Sequence, residues 1–392
     1  MTERLYYADA YLRAFQARVV ETSPDGMVAY LDRTAFYPSS GGQPFDTGTI
    51  GGAAVVEATD EGERIAHRVA APVANGPAAC AIDWKRRFDH MQQHTGQHLL
   101  SAVFDEAFGL RTASFHLGAE SSTIDLEGGA VEPAALREAE RRANEAVCEN
   151  RAVSVGFEDA REARGLRKAP ERAGALRIVT IEGLDRSACG GTHVRATGEI
   201  GVILLRKLDR IRQTARVEFL CGGRAAARAR ADYDALAQCA QAFSAPLDET
   251  PALVAAQLEA ARAAEKARRK LELDMAGYRG RELYGTTAPD ADGVRRATRR
   301  AAKGSLDELR ALAQSFTAQP MAVFLAALDE PPSVLLAVSA DAGIDAGRAL
   351  QAVLAEAGGR GGGNARIAQG SVPGRAALDR AMEKWGAATG RR

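Results

Sequence analysis

The chain has 392 residues, 46% hydrophobic and 26% charged, with 51 basic and 51 acidic side chains and a net charge of zero. That length holds two or three domains, and the balance excludes a protein that coats nucleic acid by bulk charge while leaving room for local patches. Five irregularly spaced cysteines, no leader-like apolar run at the start and no run of 18 apolar residues point to the reducing cytoplasm and away from a membrane.

Residues 1–84 read as β-rich. "FQARVVET" and "MVAYLDRTAFY" flank the turn "SPDG", a hairpin signal, and the glycine-rich loop "SSGGQPFDTGTIGG" follows. Residues 85–108 read as a helix, with Asp83 as N-cap and Gly109 as stop. "ASFHLGAESSTIDLE" reads as a strand pair, and "EPAALREAERRANEAVCEN" as an amphipathic helix opened by Glu132-Pro133. "LRIVTIEGL" and "GVILLRKLDRIRQTARVEFL" read as strands, with "SACGGTHV" in the loop between them. From Arg224 to about Met275 the composition favours long helices, a helical hairpin interrupted by Pro246 and Pro251. Residues 285–293 read as a linker. Residues 305–392 alternate helix, strand, strand, helix, as in a small α/β domain carrying "GGRGGGNARIAQG". The fold class is therefore α+β.

Six histidines are present, and three, His90, His94 and His98, recur every fourth residue in the helix. Residues i and i+4 share a helix face about 6 Å apart, so two imidazoles can reach one ion. The whole row spans roughly 12 Å, which excludes either His90 or His98. "CGGTHV" supplies a second pair, Cys189 and His193. His94, His98, Cys189 and His193 together match the donor types that zinc takes in tetrahedral sites. The residues after His94 are Thr95, Gly96 and Gln97, without the glutamate of a zinc protease. Spacing leaves open whether the ion is structural or acts on a substrate. "GGRGGGNARIAQG" lacks the Lys-Ser/Thr of a phosphate-binding loop.

"RRFDHMQQHTGQHLLSA", "FYPSSGGQPFDTG", "SACGGTHV" and "GGRGGGNARIAQG", in that order, resemble the long form of the alanyl-tRNA editing proteins, free-standing relatives of the editing part of alanyl-tRNA synthetase. The resemblance implies four parts: a small N-terminal β-barrel with the GGQ loop (1–84), a zinc-binding α+β editing domain (85–223), a helical linker, read as a coiled coil (224–284), and a C-terminal α/β domain of the DHHA1 type that binds tRNA (285–392). It implies hydrolysis of tRNA(Ala) mischarged with serine or glycine, and one zinc ion per chain on His94, His98, Cys189 and His193. Gly41, Gly42 and Gln43 become active-site neighbours, and Gly361, Gly362, Gly363 and Asn364 become tRNA contacts. A dimer through the linker helices or the C-terminal domain fits the same picture. The alternatives are a non-catalytic tRNA-binding protein with a structural zinc, and editing of another mischarged tRNA such as a threonyl one.

Serine is alanine plus a hydroxyl, and an apolar pocket rejects such an analogue only about 100-fold, so a second site must read the hydroxyl. Thr95 and Gln43 are the candidates for reading it and for catalysis. Arg206, Lys207, Arg210, Arg212 and Arg216 form a basic run suited to phosphates, and "GVRRATRRAAKG" forms another without a local acid.

Overall fold

In the computed structural model, which describes residues 1–128, 131–169, 174–211 and 213–388, the chain divides into two compact units, 1–241 and 242–392. The architecture is α+β. The boundary between these two units cuts the last residues of the helix Gly222–Phe243.

The first unit opens with a closed six-stranded barrel. Around it run Ala14–Thr22, Val28–Leu31, Ile65–Val69, Ala53–Asp60, Gly48–Ile50 and Gly76–Ile82. Val19, Leu31, Ile50, Val55 and Val69 fill the interior, as the two-residue period of strands requires. The "SPDG" turn closes as read, with the Gly26 N–H donating to the Ser23 carbonyl at 2.8 Å.

The helix Trp84–Phe108 is the axis of the rest of this unit. Its first turn is capped by Asp83, which accepts from the Arg86 N–H, and it ends at Gly109 in the left-handed conformation. Almost every side chain from His90 to Phe104 is buried. A four-stranded antiparallel sheet packs on it, in the order Ile203–Ile211, Thr214–Cys221, Ser122–Glu127 and Thr112–Leu117, with the helix Pro133–Cys148 alongside. A three-stranded sheet orders Val153–Asp159, Ala175–Ile181 and Asp185–Ala188. Cys189 is the first residue after the third strand, so only the later part of "SACGGTHV" is loop.

One buried ion pair welds barrel to helix. Arg87, at the start of the helix, donates through Nε and Nη2 to Asp46, which follows the glycine-rich loop, and both side chains are 0% exposed. Arg87 also donates to the carbonyls of Ala10 and Ala35, while Asp46 accepts from the Tyr37 N–H. Such a pair is tolerable only because nearly every donor and acceptor is used.

The second unit begins with the helix Thr250–Thr286 and holds a five-stranded mixed sheet. Its order is Arg295–Lys303, Ala322–Glu330, Ser333–Val338, Ile367–Ser371 and Arg360–Gly363. Leu306–Thr317 covers one face, and Ala346–Ala357 and Arg375–Ala388 cover the other. That explains the uninterrupted apolar runs at 322–328 and 334–338, which are buried on both faces. Two elements depart from the reading of the sequence. The arginine-rich stretch is an edge strand, and the glycine motif is half of a hairpin. Among the described residues no helix is long and apolar enough to cross a membrane.

Candidate metal centre and cavity

The donor atoms of His94, His98, Cys189 and His193 all lie within 4.8 Å of one another. The helix supplies the first two from one face, and the loop after strand Asp185–Ala188 supplies the others. Cys189 Sγ is 3.5 Å from His94 Nε2 and 3.4 Å from His193 Nε2. A tetrahedral zinc, with bonds of about 2.3 Å to sulfur and about 2.0 Å to nitrogen, gives sulfur–nitrogen edges of about 3.5 Å. The residues present therefore fit a zinc ion.

Each imidazole is aimed by a partner on its other nitrogen. His94 Nδ1 lies 2.9 Å from Gln43 Oε1, which also accepts from the Thr192 N–H at 3.0 Å. Gln43 Nε2 donates to Thr192 Oγ1 at 2.8 Å, so the orientation of the amide is fixed. An amide oxygen only accepts, so Nδ1 carries the proton of His94 and Nε2 offers its lone pair to the centre. His98 Nδ1 donates to Asp185 Oδ2 at 2.9 Å, and Asp185 Oδ1 accepts from Arg167 Nε at 2.8 Å. His193 Nδ1 lies 3.1 Å from Thr95 Oγ1, which also accepts from the Val194 N–H. An amide and a carboxylate thus set the tautomers of His94 and His98, and a hydroxyl orients the ring of His193, as partners of metal-binding histidines do.

The electrostatics favour a thiolate at Cys189 and a neutral His193. Burial alone would raise the Cys189 thiol, but the imidazoles of His94 and His193 hold it well below its usual range. Burial would lower His98, yet the Asp185 carboxylate and Cys189 raise it to about 9, while burial drives His193 down to about 3. His90 stays outside the donor group. Burial, with Arg86, Arg224 and Arg87 nearby, lowers it to about 3, and its Nδ1 is buried without a hydrogen-bond partner.

Local chain geometry explains the glycines. Gly41 and Gly42 have φ of +53° and +81° and join Ser40 to Gln43 in a two-residue turn with paired backbone hydrogen bonds. Positive φ at both central positions is what such a turn demands. It carries Gln43 to His94. A methyl group on Gly191 would lie 2.2 Å from His94 Cε1, so only glycine lets the loop approach the ring.

A cavity of about 610 Å³ opens above this centre, lined by His94, His98, Cys189, Phe115, Phe157 and Arg177 among others. Gly41 is at its wall, but Gln43 and Thr95 are not, being 1% and 0% exposed. The structure thus brings both proposed readers of the substrate to the imidazoles and places neither in the cavity. Sequence reading missed Asp185, Thr192, Phe157 and Arg177. Thr192 stood within the quoted motif; the others carry no signal until the strands pair.

Several basic residues are paired with acids, some of them distant in sequence. Arg206 is 3.8 Å from Asp232, Lys207 is 2.7 Å from Asp209, and Arg216 makes a two-pronged pair with Asp125 at 2.7 and 2.9 Å. Arg210 is exposed, with no ion-pair partner among the described residues, and Arg212 lies outside the described residues. In the second basic run, Arg300 pairs with Asp329 and Asp379 and Lys303 with Glu330. Gly361, Gly362 and Gly363 are exposed on the edge strand, and Asn364 Oδ1 closes the following turn by accepting from the Arg366 and Ile367 N–H groups.

Residues 176–216, which include Cys189 and His193, match the family described as the threonyl and alanyl tRNA synthetase second additional domain. The chain is 34% identical to alanyl-tRNA editing protein Aarsd1 of Mus musculus over 238 residues, 55% of this chain and 58% of that one. It thus spans little more than half the length of that relative. It is 30% identical to the alanine–tRNA ligase of Pyrococcus furiosus over 390 residues, 95% of this chain and 42% of the ligase. It is 36% identical to alanyl-tRNA editing protein AlaX-M of Methanosarcina mazei over 231 residues, 53% of this chain and 92% of that relative. With a histidine–cysteine centre beneath a cavity and nearly the whole of one editing protein matched, the chain belongs to the alanyl-tRNA editing protein family.

Proposed function

We propose that the chain hydrolyses mischarged tRNA(Ala), cleaving the ester between the 3′-terminal adenosine and a wrongly attached serine or glycine. Water adds across the ester bond and leaves a free amino acid and an uncharged tRNA. The observation that carries this reading is the convergence of three imidazoles and a low-pKa thiol at a cavity of about 610 Å³, a volume typical of small-ligand sites. Relatives that are alanyl-tRNA editing proteins support tRNA(Ala) as the substrate's RNA part.

One zinc ion held by His94, His98, Cys189 and His193 would place positive charge beside the ester and stabilise negative charge developing there. Gln43, Asp185 and Thr95 orient the imidazoles, which makes Thr95 and Gln43 positioning residues rather than readers of serine. Gly41, Gly42 and Gly191 let the loops close around His94. The ester is already activated, so positioning a water in this cavity supplies much of what the reaction needs.

The ligase match extends along 95% of the chain, whereas the editing-protein matches cover little over half. That supports a tRNA-binding role, of the DHHA1 type, for the second unit, with Gly361, Gly362, Gly363 and Asn364 at its exposed edge. In the first unit, Arg206, Lys207, Arg210, Arg212 and Arg216 are candidate phosphate contacts, and Arg210 is the strongest because the structure gives it no acid. Five unpaired cysteines fit a cytoplasmic location.

Deacylation with the enzyme in catalytic amounts tests the proposal. Seryl-tRNA(Ala) and glycyl-tRNA(Ala) are expected to be cleaved and alanyl-tRNA(Ala) spared, with Cys189→Ala losing both zinc and cleavage. A complete four-donor set also suits a structural zinc in a non-catalytic tRNA binder. No cleavage of either ester by zinc-loaded protein would establish that second reading, and cleavage of threonyl-tRNA(Thr) instead would move the substrate.

A further inference from the structure

Phe157 is 61% exposed, and it stands at the cavity above the metal centre rather than on a remote surface. In the antiparallel pair of Val153–Asp159 with Ala175–Ile181, Phe157 lies directly opposite Arg177. Directly opposed residues project from the same face with Cβ atoms about 5 Å apart. Both line the cavity. Arg177 is only 9% exposed and is bolted at one end: Nε donates to the Tyr7 carbonyl at 3.3 Å and Nη1 to the Cys189 carbonyl at 2.6 Å. Its Nη2 makes no hydrogen bond among the described residues and is not among the sealed-off polar atoms. A buried guanidinium with one edge left for the cavity is a site for an anion, and an exposed aromatic ring next to it is a site for a flat base. The loop before Ala175–Ile181 adds Arg167, which also lines the cavity and is held by Asp185.

We propose that Phe157 and Arg177 form the subsite for the last unpaired nucleotide of a tRNA 3′ end, with the ring stacking on the base and the guanidinium binding its phosphate. The occupant rests on the editing reading above. The pairing of ring and cation follows the chemistry of single-strand recognition, in which aromatic rings take bases without regard to sequence and arginines take the backbone. It sets the ester within reach of the centre, because Arg177 holds the carbonyl of Cys189 itself.

The experiment uses the full zinc-loaded protein and two uncharged RNAs, intact tRNA(Ala) and the same tRNA with its unpaired 3′ nucleotides removed. Phe157→Ala should weaken binding of the intact tRNA about tenfold, equal to ~1.4 kcal/mol, and leave binding of the shortened one unchanged. Phe157→Trp should restore intact binding. Arg177→Gln should likewise discriminate between the two RNAs, and its zinc content reports whether the Cys189 loop has been disturbed. Equal affinity of parent and Phe157→Ala for intact tRNA overturns the subsite, as does an equal loss on both RNAs. Binding to uncharged RNA needs no hydrolysis. A 3′-dependent effect without any deacylation would therefore sink the enzymatic reading and keep the subsite, and deacylation without that effect would do the reverse.

Discussion

Replacing Gln43 by leucine should loosen the metal without touching a ligand. Leucine has nearly the same size but removes three hydrogen bonds, to His94 Nδ1, the Thr192 N–H and Thr192 Oγ1. Two buried donors lose their acceptor. Each unsatisfied donor costs about 1–3 kcal/mol, so the folded, loaded state should lose ~2–6 kcal/mol. Freeing His94 to rotate should lower zinc affinity about 10- to 100-fold. Gln43→Glu keeps an acceptor for both donors and should stay close to the parent. Chelator competition gives the affinity and urea unfolding gives the stability. If Gln43→Leu binds zinc as tightly as the parent and loses only kcat/KM, Gln43 acts on the substrate and the hydrogen bonds described here do not aim His94.

Thr95→Val removes the acceptor of His193 Nδ1 and Val194 N–H; zinc affinity should fall, with cleavage of seryl and glycyl esters falling in parallel. A loss confined to the seryl ester, measured as kcat/KM on both, would return Thr95 to the role of serine reader. Burial holds His67 at about 4 in the folded barrel, against 6.5 for a free imidazole. The unfolded chain takes up the extra proton between those values, so the stability of neutral His67 is present above the higher value and is lost as pH falls toward the lower one, on the order of 3 kcal/mol. His67→Gln should flatten that fall in urea midpoints, and an unchanged slope would refute it. Arg87→Met leaves Asp46 charged and buried and should cost ~3–5 kcal/mol, part of which Arg87→Met with Asp46→Leu should recover; equal unfolding energies for the single and double variants would show the pair carries no such penalty.

What could be read from the sequence was whatever depends on near neighbours. Asp83 and Gly109 bracket the helix at Trp84–Phe108 because caps act within one turn. The 94/98 and 189/193 pairs pointed to one centre because each pair is local and only their meeting is not. What stayed hidden depends on pairing across the chain. Asp125 and Asp232 pair with Arg216 and Arg206 from distant segments, and Asp329 and Asp379 neutralise Arg300, whose own run holds no acid. The strand Arg295–Lys303 reads as a solvated basic run because only one alternate position, Ala297, is buried. The glycines of the 361–363 motif looked like a ligand loop. At Gly361 a side chain would meet the Gln369 carbonyl at 2.4 Å, which is a reason of strand pairing. Thr95 sat beside a ligand in sequence and Gln43 far from all four, yet both contact the rings themselves.

Everything the centre uses, from Gln43 to the strand that ends at Cys221, lies in the first unit. Its partners are far apart along the chain, 51 residues between Gln43 and His94 and 95 between His94 and Cys189. The ring of ligands therefore closes only after the loop at 189–193 has left the ribosome, yet well before translation ends. At about 5–20 residues per second, the second unit, 242–392, needs roughly 8–30 s more to be made. A metal that binds this centre would therefore find all four donors on the nascent chain, before the rest of the protein exists.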